Sequence, residues 1–342
     1  MICICGGGTG GHLAIAKALG LELKKRGIPA IFIGSSNGQD KMWFENSDIF
    51  EHKYFLASSG VVNKKGIKKL FSLLNIIKLS FACRKIFKEN NIKAVISVGG
   101  YSAAAPSIAS VLFGLKLFIH EQNAKIGRLN AILKPFASEF FSSYHKDKNG
   151  ALWDYPVATQ FFSKSRIRSK LDCVLFLGGS QGASFINNLA LSLAAILNEK
   201  GITIIHQCGS KEFDEISTKY EQMDIKAKCF DFSTEIENYM NEADLCISRA
   251  GASSLWELAA NALPTIFIPY PHAASDHQYY NAKFLADNNL AKILRQNEAN
   301  DKSVLEIIEN IDLQSISSGL KSLIKEDASA KIVDKIIKNS SK

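Results

Sequence analysis

The sequence predicts an α/β protein made of two doubly wound, Rossmann-like domains facing across a cleft. Three observations predict it. Short β-rich runs alternate with helical patterns through both halves of the chain; each half opens on an apolar strand that runs into a glycine turn; and 342 residues exceed one typical domain. Ligands of such sheets sit beyond the carboxyl ends of the strands, and the glycine-rich turns fall there.

In the first half the strand MICIC leads into GGGTGGH (6–12) and the helical pattern LAIAKALGLELKKRG. Further strands read as PAIFIG, KAVISVGG and LKLFIHEQ, because each is short, apolar and rich in β-branched or aromatic residues. The uncharged run Ala94 to Leu115 has the length of a membrane span, but Gly99-Gly100 and Pro106 divide it into strand, turn and helix. YPVATQFF (155–162) marks the boundary, giving a first domain over 1–157 and a second over 158–328, with 329–342 as a closing helix. The second domain repeats the first's opening in DCVLFLGGSQGASFINNLALSLAAIL and continues through ITIIHQCG, KCFDF, ADLCISRAG and LPTIFIPY.

Composition narrows the function classes. With 46% hydrophobic and 22% charged residues the chain is an ordinary globular one. None of its seven cysteines forms a CxxC pair, several lie in apolar strands, and no basic region precedes the first apolar run; a reduced, cytoplasmic protein without a zinc site or signal peptide is expected. Residues 1–160 carry 21 Lys+Arg against 10 Asp+Glu, or +11, and residues 161–342 carry 20 against 23, or −3, which together give the net +8. Any surface for an anionic partner therefore belongs to the first half. The segment 61–93 holds nine of those cations and one acid among Leu, Ile and Phe, a pattern expected of a basic amphipathic helix lying on anionic lipid. A nucleic-acid partner is not expected, since aromatics are sparse there and no binding motif accompanies the charge.

The turns carry the candidate chemistry. GGGTGGH fits a loose dinucleotide fingerprint, but the second strand ends in IFIGSSNG without the acid that would hold an adenine ribose. GGSQGAS suits a nucleotide phosphate better, through helix-start N–H groups and the Ser180 hydroxyl. In SRAGASSLWE, Glu257 is placed to accept two ribose hydroxyls, or else to complete a capping box begun by Ser253 or Ser254. SDHQYYNA (275–282) offers polar groups for sugar hydroxyls, and HEQN (120–123) projects from a strand end, with His120 itself expected to be buried and satisfied.

GGGTGGH, HEQN, GGSQGA and SRAGASSLWE in this order, followed by DHQYYNA, resemble the MurG family, the membrane-associated glycosyltransferases of peptidoglycan synthesis. The resemblance runs from the first strand to about residue 295. It implies a GT-B fold, UDP-N-acetylglucosamine as donor, undecaprenyl-pyrophosphoryl-N-acetylmuramyl-pentapeptide as acceptor, and transfer to the acceptor's 4-hydroxyl with inversion. The acceptor is expected on the first domain and the donor on the second, with a helix around Ala330 to Ile337 crossing back to the first.

By the same resemblance Ser180 meets phosphate, Glu257 the ribose, Phe232 and Ser233 the uracil, and Ala252, Ser253, Ser254 and Leu255 the diphosphate through backbone amides. His277 and Gln278 face the glucosamine hydroxyls. Thr9, Gly10, Gly11, His12, Tyr101, Glu121 and Asn123 line the cleft from the first domain, with His12 as general base and Glu121 as its rival. No cofactor or metal is required, the protein is expected at the cytoplasmic face of the bacterial inner membrane, and other cell-wall synthesis proteins are implied as partners. The sequence departs from the family at Ala158, where an arginine usually meets the diphosphate; either Lys164, Arg166 or Arg168 substitutes from the same loop, or helix amides suffice. Another GT-B enzyme such as UDP-N-acetylglucosamine 2-epimerase, or a non-catalytic UDP-sugar-binding subunit, stays open as an alternative.

Overall fold

A computed structural model of the chain describes residues 1–60, 66–179 and 182–340. It divides into two units, Met1–Val157 with Asp327–Lys342, and Ala158–Glu326.

The first unit runs β1 (Ile2–Cys5), α1 (Gly10–Lys25), β2 (Ala30–Ser35), α2 (Asp40–Phe44), β3 (His52–Leu56), α3 (Gly66–Glu89), β4 (Ala94–Ser97), α4 (Ala104–Leu112), β5 (Lys116–Glu121), α5 (Arg128–Leu133) and β6 (Glu139–Ser142). Its strands are all parallel, in the order β3-β2-β1-β4-β5-β6. The second unit runs α6 (Thr159–Ser163), β7 (Cys173–Leu177), α7 (Ser184–Glu199), β8 (Thr203–Gln207), α8 (Phe213–Gln222), β9 (Ala227–Phe230), α9 (Ile236–Glu242), β10 (Leu245–Ser248), α10 (Ala252–Ala260), β11 (Thr265–Phe267), α11 (His277–Asp287), β12 (Lys292–Ile293), α12 (Asp301–Asn310) and α13 (Leu313–Leu323). Its parallel sheet, β9-β8-β7-β10-β11-β12, repeats the first one's topology strand for strand.

The order explains where the glycine turns sit. Each sheet changes winding direction beside its first strand, so the turns after β1 and β4, and those after β7 and β10, lie at topological switch points, where doubly wound sheets leave a crevice. The central strands are buried on both faces: β1, β4, β7 and β10 expose none of their residues. Helix packing completes each core, with Cys83, Ile86, Ala105, Ala109 and Leu133 on one face of the first sheet and Ile186, Leu189, Leu193 and Ile308 on the second.

Three strands escape the sequence reading. β3 (HKYFL), β6 (EFFS) and β12 (KI) are short and lie at sheet edges, and their extended form is set by pairing with β2, β5 and β11 rather than by their own patterning. The final helix, α14 (Ala328–Ser340), packs on α1, where Arg26 pairs with Asp334 and donates to the Ala330 carbonyl at 3.1 Å. Lys335 adds an ion pair with buried Glu139 at 3.1 Å.

The reading of segment 61–93 needs correction in part. Residues 61–65 lie outside the described residues. Over the rest, α3 is not amphipathic in the usual sense, because its first turns point apolar residues outward: Ile67, Leu70, Phe71, Leu74, Ile77 and Phe81 are all more than half exposed. Facing inward are Ser72, whose hydroxyl returns to the Lys68 carbonyl, and Ser80, whose hydroxyl donates to Ile76 and Ala105 carbonyls. No helix among the described residues is long and apolar enough to cross a membrane.

Candidate active site

The glycines of the first turn are spent mostly on the protein itself. Gly6, Gly7, Gly8 and Gly100 all have positive φ, and a Cβ on Gly6 or Gly100 would stand 2.3 or 2.0 Å from the carbonyl oxygens of Gly99 or Gly7. The two turns are thus pressed together, with Gly7 N–H donating to Gly99 at 3.1 Å. Fully buried Asp40 braces them from below, accepting from the Gly8 and Ser35 amides at 2.5 and 2.7 Å. Burial raises its pKa against those hydrogen bonds. Tyr101 packs its ring on Gly8 and donates its hydroxyl to the Asn37 carbonyl at 2.5 Å.

Gly10 and Gly11 differ from these, forming the first residues of α1. Thr9 is the N-cap residue in backbone conformation, yet its hydroxyl does not cap the helix. It meets His12 Nδ1 at 2.8 Å, while Gln122 Nε2 stands 2.9 Å from His12 Nε2. The imidazole lies over Gly99, where a Cβ would come within 3.1 Å of Cδ2 and Nε2.

Glu121 is engaged within its own loop. Its carboxylate is buried, with one oxygen accepting from the Asn123 amide at 3.0 Å and the other from the Gly127 amide and Asn130 side chain, both at 2.8 Å. Those bonds fold the loop after β5 and fix the start of α5. His120, expected to be satisfied, is buried with both ring nitrogens lacking a hydrogen-bond partner among the described residues. Burial, then the nearby His12, depresses its pKa to about 3, so the ring is neutral.

In the second unit Ser180 lies outside the described residues. The remainder of its turn is tight: a Cβ on Gly178 would meet the Ala183 amide nitrogen at 2.6 Å. After β10, α10 is capped by Gly251 and not by a serine hydroxyl, which removes the capping-box alternative. Glu257 is the sixth helical residue, beyond reach of the cap, and is partly exposed. Burial of its carboxylate, and then the neighbouring Glu237, lift its pKa to about 7. Ala252 and Leu255 are buried, whereas Ser253 and Ser254 reach the surface.

Gln278 links two loops, its Oε1 accepting from the Ala250 and Tyr270 amides at 3.2 and 3.0 Å and so leaving its NH2 for other partners. His277 donates Nδ1–H to the Ala274 carbonyl at 2.9 Å, which sets Nε2 as the acceptor nitrogen. Just before it, Ser275 and Asp276 both adopt left-handed backbone, an unusual pair for non-glycine residues. Phe232 holds its ring 55% exposed, and Ser233 Oγ accepts from the Glu235 amide at 3.0 Å.

Two of the three proposed stand-ins for an arginine at Ala158 are occupied elsewhere. Arg168 is fully buried and donates to the carbonyls of Arg166, Met240, Ala243 and Asn261 and to Asn261 Oδ1. Arg166 ties the carbonyls of Asn241, Glu242 and Ala243 to the Asp244 carboxylate. Both cap helix ends, as cations at helix C-termini do; Lys164 alone keeps an exposed side chain.

Two domain families account for nearly the whole chain: the glycosyltransferase family 28 N-terminal domain over residues 2–142 and the family 28 C-terminal domain over residues 173–338. The chain belongs to glycosyltransferase family 28. It is 62% identical over 338 residues, 99% of this chain and 100% of the relative, to the "UDP-N-acetylglucosamine--N-acetylmuramyl-(pentapeptide) pyrophosphoryl-undecaprenol N-acetylglucosamine transferase" of Campylobacter fetus subsp. fetus (strain 82-40). It is 56% identical, over 99% of this chain and 97% of the relative, to the protein of the same name in Campylobacter hominis. Among solved structures, it superimposes on the crystal structure of Acinetobacter baumannii MurG with a TM-score of 0.81 at 27% identity, covering 98% of this chain and 99% of the other. The two α/β units are therefore those of a GT-B glycosyltransferase.

Within this family 28 enzyme, sequence reasoning missed Gln122, Asp40 and Arg249. Gln122 stood in the quoted HEQN, but only the fold brings it to His12. Arg249 follows β10 just before the start of α10, donates to the Ile268 and Pro269 carbonyls and to Gln296, and stacks between Phe185 and Tyr270. Its Nε is buried without a hydrogen-bond partner among the described residues, and burial lowers its pKa. An arginine in the turn SRAGASS was the available signal.

Proposed function

We propose that this glycosyltransferase moves N-acetylglucosamine from UDP-N-acetylglucosamine to the 4-hydroxyl of undecaprenyl-pyrophosphoryl-N-acetylmuramyl-pentapeptide. The full-length 62% identity to the C. fetus transferase carries this reading. The epimerase and binding-subunit alternatives have no comparable support.

In the second unit, α10 presents its first amides to the donor diphosphate, and the Glu257 carboxylate accepts both ribose hydroxyls. Phe232 offers an exposed aromatic face to the uracil, and Ser233 and Ser180 contribute polar contacts. Gln278 Nε2 and His277 Nε2 meet the sugar hydroxyls. Arg249 and Lys164 supply the positive charge that Ala158 does not. In the first unit, Thr9, Gly10, Gly11, Tyr101 and Asn123 receive the acceptor, whose pyrophosphate meets the α1 N-terminus.

The chemistry is a single in-line displacement. The acceptor oxygen forms a bond to the anomeric carbon as the bond from that carbon to the β-phosphate oxygen breaks; its electron pair leaves with UDP, and the hydroxyl proton passes to His12 Nε2. His12 serves as the base because Glu121 is consumed in bracing its loop. His12→Ala is expected to lower kcat at least a hundredfold with UDP-N-acetylglucosamine affinity unchanged by calorimetry; an unchanged kcat contradicts the assignment.

We also propose that the enzyme is peripheral at the cytoplasmic membrane face, held by the outward Leu, Ile and Phe of α3 and the lysines around them. Exposed Leu112 of α4, Ile132 of α5 and Phe136 extend that apolar surface, and helices α3, α4 and α5 cover the same side of the sheet. Leaving so many apolar side chains in water is costly unless a nonpolar phase receives them.

A further inference from the structure

We propose that Gln122 is a positioning residue for the transfer: its carboxamide NH2 holds His12 as the Nδ1–H tautomer and occupies the Nε2 lone pair where the acceptor hydroxyl must bind. This rests on His12 being the base and deepens that reading.

Which atoms can donate fixes the roles of the two ring nitrogens. A carboxamide nitrogen carries only donors, so with Gln122 Nε2 at 2.9 Å the His12 Nε2 is the accepting, unprotonated nitrogen. The ring proton then sits on Nδ1 and is donated to Thr9 Oγ1, 2.8 Å away. The opposite orientation of the amide would put Oε1 against the ring and bury the NH2 instead. As it stands, Gln122 Oε1 is the buried atom lacking a partner among the described residues. An orphaned carbonyl is a smaller penalty than an orphaned pair of donors, which favours the orientation seen.

The acids and the histidine described beside the ring are engaged or neutral. The ring lies on the bare backbone of Gly99. His120 beside it is neutral, Glu121 is bonded to its own loop, and Asp40 is held by the Gly8 and Ser35 amides. Thr9 and Gln122 bracket the imidazole from its two nitrogens, so the lone pair of Nε2 has one fixed direction. Acceptor binding exchanges one partner of that lone pair for another: the carboxamide withdraws, the sugar hydroxyl donates in its place, and the proton moves to Nε2 as the anomeric bond forms.

The tautomer is read directly by 15N NMR of histidine-labelled wild-type enzyme at pH 8, with the His12 signals assigned by their loss in His12→Ala. Expected is a pyridine-like Nε2 and a pyrrole-like Nδ1; a protonated, pyrrole-like Nε2 overturns the proposal without any variant at Gln122. Kinetics give the second arm. A donor to Nε2 favours the neutral ring, so Gln122→Ala should move the acid limb of kcat/KM upward by roughly half a pH unit to one unit. Gln122→Glu should move it further, by about one unit or more, because a carboxylate stabilises the imidazolium. KM for the donor should stay within about twofold. Limbs that stay in place in both variants, with His12→Ala inactive, refute the role of Gln122 while leaving the base intact. An active His12→Ala refutes the underlying reading instead.

Discussion

At the scale of single residues, the site is governed by what each polar group is already bonded to. Glu121 and Asp40 are both buried acids near the glycine turn, and both are used up on backbone amides. Glu257 is the opposite case, an acid whose burial beside Glu237 raises its pKa to about 7. Two consequences follow from the sign of that shift. The ribose contact proposed for Glu257 needs the ionised form, so on that proposal UDP-N-acetylglucosamine affinity should fall as pH drops from 8 to 6, a range in which the diphosphodiester itself does not titrate. A carboxyl whose folded pKa lies above its unfolded value binds protons more readily in the folded state, so stability is lost as pH rises through the interval from about 4.5 to 7. Glu257→Gln should therefore raise Tm relative to wild type at pH 8 and not at pH 4, while abolishing the pH dependence of donor binding. A Tm difference that is the same at both pH values rules out this titration of Glu257.

At the scale of elements, two features decide stability and location. Arg168 joins the C-terminal ends of α9 and α10 through Met240, Ala243 and Asn261, placing Glu237 and Glu257 on neighbouring helices. Removing the guanidinium strands several buried carbonyls, so Arg168→Ala should cost about 3 kcal/mol or more in urea unfolding. Were the arginine instead a diphosphate ligand, the variant would unfold like wild type and show a sharply raised donor KM.

Each outward Leu, Ile or Phe of α3 that enters a bilayer interface contributes on the order of 2 kcal/mol, and Lys68, Lys69, Lys78 and Arg84 add attraction to anionic headgroups. The enzyme should float with vesicles containing anionic lipid, and Phe71→Ser with Leu74→Ser should release it without lowering Tm, since both side chains face water. Absence from anionic and neutral vesicles alike would refute membrane docking through this helix.

At the scale of the whole molecule, two sheets of one topology place four glycine turns at two switch points. That much was legible in the sequence, because each turn follows a short apolar strand and precedes a helical pattern, and because the central strands are buried on both faces and need no partner's pattern to be seen. β3, β6 and β12 were not legible, since edge strands take their form from pairing. Residue type alone singles out Thr9, His12, Glu257 and Gln278 as candidates, but it does not reveal partners distant in sequence. Gln122 meets His12 only because β5 ends near the start of α1 in the folded sheet, and Arg166 and Arg168 looked like anion ligands until their carbonyl partners were in view. Charge alone does not tell a ligand from a brace.

The central claim is tested most directly by turnover of labelled UDP-N-acetylglucosamine by the purified single chain in detergent, with the undecaprenyl-linked muramyl-pentapeptide supplied or withheld. The account predicts UDP release together with a lipid-linked disaccharide, formed only when the acceptor is present and without added metal or cofactor. Conversion of the donor when acceptor is withheld, or tight donor binding with no disaccharide when it is supplied, would contradict it.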